Sequence, residues 1–238
     1  MFEVYSVPKI FNSNLIAEAS VLFDPLSKAW NGPGAYGVFL PEELNKAVDK
    51  RKNEFLAGRV SAAAALKKKE SLSYNVPIGA GGAPSWPEGF TGSITHSEGF
   101  ASAAVGRCAD IFSIGIDNEV LLGDESLRAV LRTVFTAPEL EMYSGYSRNS
   151  GILFATLVFS AKESLYKALY PKVGRIFDYT EAKIDFVDME HGVFQISILN
   201  DLPPGFLAGT GFKGVFSSQD KYLRTGLILP AATGAELT

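Results

Sequence analysis

Hydrophobic and polar positions along the chain fall into two long stretches with helical spacing and several short apolar runs. Residues 2–7 and 35–40 (AYGVFL) are short, apolar and aromatic, and read as strands. Pro41 then opens a segment read as one helix through Lys69. Leu44, Val48, Phe55, Ala62 and Leu66 fall on one stripe of it, with Lys52 and Arg59 on a neighbouring face. Glutamates near its start and lysines at its end suit the helix dipole. Residues 71–92 are dense in glycine and proline and read as a long loop, of a length that is often functional. Strands are expected at 92–97 (GSITHS), 100–106 (FASAAVG) and 111–117 (IFSIGID). Thr136 and Glu139 have capping-box spacing for another helix. The second strong helix spans 151–171 and stops at Pro171. Runs at 182–188, 192–199 and 221–229 read as strands, made antiparallel by turns near EHG and SQDK. This order is α+β and admits two related halves joined near residues 108–112, although no clear sequence repeat relates them.

Composition narrows the class. At 238 residues the chain suits one large domain or two small ones, and a hydrophobic content of 47% is enough to build a core. The net charge of −4 provides no global field to draw in nucleic acid or an anionic membrane, so any partner is recognised by a local patch. Cys108 is the single cysteine, which excludes an intramolecular disulfide and argues against thiolate-bound zinc or iron–sulfur clusters. No secretory signal and no bilayer-length apolar run are visible, so a cytoplasmic protein is expected.

Four segments could carry chemistry. In IFSIGIDNE, strand alternation puts Ile114 and Ile116 on one face and Gly115, Asp117 and Glu119 on the other. The two carboxylates then lie about 7 Å apart, with Gly115 leaving space beside them. Such a pair repels itself unless a cation intervenes, and hard oxygen donors suit Mg²⁺. The plain alternative is a solvated strand end. In FSAKESLYKALYP, Glu163 and Lys167 share a helix face; alone, this is an ordinary surface ion pair. Its flanks (Leu157, Val158, Phe159, Leu165) imply burial, however, and a buried helix carrying Lys162, Glu163 and Lys167 needs a reason for them. In GSITHSEGF, His96 could bond a phosphate or simply cap a turn. Arg51, Lys52 and Arg59 make one helix edge basic, suggestive of a phosphate fork or of a solvated face. His191, in an apparent turn, is given no role. No nucleophile elbow, Walker loop, dinucleotide fingerprint or H-E-x-x-H is present.

Taken in order, EFLAGR, PSWPEGFTGSITHSEGF, SIGIDNE and FSAKESLYKALYP resemble the 4′-phosphopantetheinyl transferase superfamily, in its two-halved branch typified by the enzymes that activate surfactin and enterobactin synthetases. The resemblance spans residues 51–171. It implies an α+β pseudo-dimer with coenzyme A in the cleft between an N-terminal half, 1–110, and a C-terminal half, 111–238. Asp117, Glu119 and Glu163 would hold Mg²⁺ (or Mn²⁺). Lys162 and Lys167 would contact phosphate or pantetheine. Arg51, Arg59, Thr95 and His96 would bind the nucleotide, the arginines and His96 at its 3′-phosphate. Glu163 and Lys167 would be catalytic. The implied partner is an apo acyl, peptidyl or aryl carrier protein, loaded to give the holo form and 3′,5′-ADP; the chain is long enough to build the cleft alone, so a monomer is expected. The serine nucleophile comes from that partner, so no internal nucleophile is needed. Glu163 could take its proton directly or through water, which sets its role as base against its role as ligand.

The chain departs from the pattern in two places. Gly81, Gly82 and Ala83 stand where relatives often carry a basic residue, and Asn118 separates the two acids, as a further water-mediated contact or the sign of a strand that ends early. The rival readings are another Mg-dependent phosphoryl-group enzyme such as a phosphatase or nuclease, a non-catalytic coenzyme A or carrier-binding module, and, last, a serine hydrolase using His96. The carrier class and pathway (fatty acid, polyketide, nonribosomal peptide or siderophore) do not show in the sequence.

Overall fold

The computed structural model describes residues 3–5, 8–28, 37–70 and 74–231. Along the chain run β1 (Glu3–Tyr5), β2 (Ala17–Leu22), α1 (Asp49–Glu70), β3 (Phe90–Ser97), β4 (Phe100–Arg107) and β5 (Ile111–Val120). These are followed by α2 (Asp124–Thr133), α3 (Ala137–Ser144), α4 (Arg148–Val173), β6 (Ala182–Asp188), β7 (Val193–Ile198), β8 (Gly211–Gln219) and β9 (Tyr222–Pro230). The residues divide into two compact units, Met1–Ile114 with Leu229–Thr238, and Gly115–Ile228. The expected α+β class is observed. Among the described residues no helix is long and apolar enough to cross a membrane.

The first unit has a four-stranded antiparallel sheet in the order β1-β2-β4-β3. Helix α1 packs on it, burying Phe55, Leu56 and Val60 against Val21, Phe23 and Ala101. The run Ala62–Ala65 carries no side chain longer than a methyl and is almost wholly buried, so it allows close approach to the sheet. The helix starts at Asp49 rather than at Pro41. Pro41 is extended, residues 42–44 make only one 3-10 turn, and residues 45–47 turn again, leaving Val48 72% exposed. Asp49 then supplies the first-turn acid, and Lys67–Lys69 meet the C-terminal dipole. The strand expected at 35–40 is not formed by its described part: Gly37, at φ 70, leaves extended geometry, and residues 35 and 36 lie outside the described residues. Of the strand expected at 2–7, Glu3–Tyr5 is described and pairs with β2. The glycine- and proline-rich loop contains one 3-10 turn, Ala80–Gly82, and an isolated bridge between Ile78 and Pro84, with residues 71–73 outside the description.

The second unit is built on a sheet ordered β5-β9-β8-β7-β6, with antiparallel β6–β7, β7–β8 and β8–β9 pairs. The hairpin expected at EHG is present, with β6 and β7 turning through residues 189–192. The turn expected at SQDK also forms, at Asp220 (φ 54) and Lys221, but it joins β9 to β8, a strand not expected from the sequence, rather than to the run at 192–199. Helix α4 runs through Pro171, the expected stop, and ends two residues later at Val173. Gly174, left-handed at φ 66, receives the chain there as its cap. A proline this close to the C-terminus removes few helix bonds, so it does not terminate the helix. At α3 the capping box of Thr136 and Glu139 forms as its spacing predicts.

Candidate active site

The acidic set is assembled by two elements of the second unit, β5 and α4. Gly115 decides how they meet: a Cβ built on it would lie 1.8 Å from the carbonyl oxygen of Ser164 on α4. The space beside Asp117 that the sequence suggested for a cation is therefore filled by helix backbone. Two residues on, the same strand face brings Asp117 to α4. It is 3% exposed, and its Oδ1 accepts from Lys167 Nζ at 2.7 Å while Oδ2 accepts from Ser160 Oγ at 2.8 Å. Ser160 in turn shares a buried hydroxyl network with Thr225 and Ser164. Lys167 thus pairs with Asp117 across to the strand, rather than with Glu163 along its own helix. Asn118 is fully buried and β5 continues to Val120, which removes the reading of a strand that ends early.

Glu163 is engaged by a residue the sequence reading missed. The Tyr179 hydroxyl donates a hydrogen bond to Glu163 Oε1. Burial, this bond and the negative charges of Glu163, Asp117 and Glu119 all push the Tyr179 phenol well above its ordinary range. The phenol thus touches Glu163 directly, while Asp117 and Glu119 act on it through charge alone. No motif announces Tyr179; its only sequence signal is a tyrosine after a possible N-cap, Asp178.

Lys162, expected at phosphate or pantetheine, has its amine turned inward. The residue is 2% exposed, and Nζ donates to Glu139 Oε2 and to the carbonyl of Val134, both at 2.8 Å. Burial draws its pKa below the ordinary lysine value, and Glu139 pulls it partly back up. Glu139 also accepts from Thr136 N, Thr136 Oγ1 and Ile184 N, so one carboxylate ties α3, α4 and β6 together. A cavity of about 240 Å³ lies beside these groups, lined by Lys162, Glu163, Tyr166, Phe177, Tyr179 and their neighbours.

The oxygen-only donors Asp117, Glu119 and Glu163 suit Mg²⁺ in chemistry. In arrangement, no group of three or more His, Cys, Asp or Glu side chains among the described residues is gathered to hold one ion. Asp117 is turned to Lys167 and Ser160, and Glu163 to Tyr179.

In the first unit the basic residues do come together. Arg51 Nη1 lies 3.4 Å from His96 Nε2. Arg59 is 6% exposed, stacks on Phe55 at 4.7 Å, and has its Nε buried without a hydrogen-bond partner. Burial first, and Arg51 second, lower its pKa to about 10. A buried guanidinium with an unused donor, repelled by the charge of a second arginine, is an arrangement that an anion would relieve. Thr95 is buried and alternates to the face of β3 opposite His96, across from Ser102 of β4. His191 caps the β6–β7 turn by bonding Asp188.

A model of the 4′-phosphopantetheinyl transferase N-terminal domain matches residues 40–106, and one of the 4′-phosphopantetheinyl transferase superfamily matches residues 113–219. The chain is 37% identical to the 4′-phosphopantetheinyl transferase Svp of Streptomyces mobaraensis, over 83% of this chain and 81% of that one. It is 33% identical to the 4′-phosphopantetheinyl transferase PptT of Mycobacterium tuberculosis, over 62% and 65%. It is 38% identical to enterobactin synthase component D of Escherichia coli, over 53% and 58%.

Proposed function

Because the chain belongs to the 4′-phosphopantetheinyl transferase superfamily, we propose that it transfers the phosphopantetheine arm of coenzyme A to a serine of an apo carrier protein, releasing 3′,5′-ADP. The observation that carries this reading into chemistry is that Asp117 of β5 contacts Lys167 of α4, the helix that also carries Glu163 one turn away.

In the reaction, the serine oxygen bonds to the β-phosphorus while the bond from that phosphorus to the bridging oxygen of 3′,5′-ADP breaks. Glu163 accepts the serine proton, and Lys167 stabilises negative charge on the phosphoryl oxygens. Asp117, Glu119 and Glu163 are the residues that would hold Mg²⁺, or Mn²⁺. When bound, such an ion neutralises pyrophosphate charge and favours departure of the nucleotide. Lys167, resting on Asp117, is the ammonium available to phosphate. Arg51, Arg59 and His96 take the 3′-phosphate, with Thr95 on the opposite face of the strand that carries His96, whereas Lys162 supports Glu163 from within. The cavity beside Glu163 is walled by the rings of Tyr166, Phe177 and Tyr179, apolar surfaces suited to a pantetheine arm. The same reading takes residues 1–110 and 111–238 as its two halves, and the protein as a cytoplasmic monomer.

Intact-mass measurement of an apo carrier incubated with the protein, coenzyme A and Mg²⁺ tests the reading. The expected result is a gain of one phosphopantetheine group, lost with EDTA and with Asp117→Ala. Coenzyme A binding without mass gain on carriers of every class would instead indicate a binding module.

A further inference from the structure

The two oxygens of Glu163 are in unequal surroundings. Among the described residues its hydrogen bond is the one from Tyr179 to Oε1, and Oε2 receives none. The phenol is held from several directions. Tyr179 opens a 3-10 turn, Tyr179–Glu181, closed by a capping box in which Asp178 accepts from Thr180 N at 2.9 Å and Glu181 accepts from Asp178 N at 2.7 Å. Its ring packs against Phe159 at 5.8 Å. Phe159 and Glu163 are one helical turn apart on α4, so the same stretch of helix holds both the ring and the hydroxyl of Tyr179. On the other side, Lys162 is locked to Glu139 and Val134, which fixes the backbone that carries Glu163.

We propose that Tyr179 is a positioning residue: its hydroxyl ties down Oε1 of Glu163 and so presents Oε2 to the serine proton. The assignment rests on the phosphopantetheinyl transfer reading. It divides the work of a carboxylate otherwise asked to serve as ligand and base with the same atoms. A base held by a fixed neutral donor loses little orientational freedom at the moment of transfer. A phenol does this without adding a charge to compete with a cation for the carboxylate.

Tyr179→Phe keeps the ring on Phe159 and removes only the hydroxyl. Steady-state carrier loading should show kcat falling about tenfold, with KM for coenzyme A and for the carrier within about twofold. The melting temperature and the affinity for Mn²⁺, read by electron paramagnetic resonance, should be unchanged. In a Glu163→Gln background the same substitution should have no further effect on residual kcat, since Tyr179 acts through that carboxylate. An unchanged kcat in Tyr179→Phe, an effect that persists in Glu163→Gln, or a kcat loss accompanied by a lower melting temperature or weaker Mn²⁺ binding would overturn the assignment. A wild-type protein that loads no carrier overturns the transfer reading and this assignment with it. An active wild type with an indifferent Tyr179→Phe overturns this assignment alone.

Discussion

Lys162 and Glu139 face each other in an interior sealed from solvent, at 2.8 Å. Removing one member of such a pair strands the other. Glu139→Ala leaves an ammonium in low dielectric with only the Val134 carbonyl, and should cost about 3–5 kcal/mol in a denaturant titration. Lys162→Met should cost less, because Glu139 keeps its donors on Thr136 and Ile184. It should also leave coenzyme A affinity by calorimetry nearly unchanged, because the amine points to Glu139 rather than outward. A large loss of coenzyme A affinity in a folded Lys162→Met protein would show that the amine turns to the ligand. The same residue type on the same helix thus divides into two jobs: Lys162 holds the helix to its neighbours, and Lys167 meets Asp117 at the site.

Between elements, the contact that matters most is strand on helix. Gly115 lets β5 lie against α4 so closely that the helix carbonyl of Ser164 occupies the place of a side chain. That approach sets the reach from Asp117 to Ser160 and Lys167. Gly115→Ala meets backbone, which cannot rotate aside, so its cost should reach the upper end of the roughly 1–3 kcal/mol typical of overpacking, or exceed it. Thermal unfolding measures the cost. Carrier loading should fall as well, because the carboxylate and lysine are pushed apart. An alanine variant with wild-type stability would show that the approach of β5 to α4 at Gly115 does not limit packing there.

Across the whole molecule, an acidic chain of net charge −4 keeps a local basic cluster of Arg51, Arg59 and His96. Such a cluster should be relieved by an anion. We expect 3′,5′-ADP to raise the melting temperature of the wild type by mass action, with an effect that shrinks as salt is added. Arg51→Ala, at an exposed position, should weaken that nucleotide about tenfold without lowering the melting temperature of the free protein. Equal affinity in Arg51→Ala would remove the arginine from the nucleotide site.

What the sequence alone determined was local. The capping box at Thr136, the hairpin after β6, the turn before β9, the strands β3 to β5 and the face shared by Asp117 and Gly115 all follow from spacing within a few residues. The three elements missed were legible too. α2 carries Leu127, Val130, Leu131 and, at its C-cap, Val134 at helical spacing, and β2 and β8 are plain short strands. Tertiary structure decided the partners. Whether Lys167 pairs with Glu163 or Asp117, whether Lys162 faces ligand or core, and whether Tyr179 reaches Glu163 depend on residues up to 50 positions apart being brought together by packing. Spacing along one element fixes which side chains share its face, but it carries no information about what another element lays against that face.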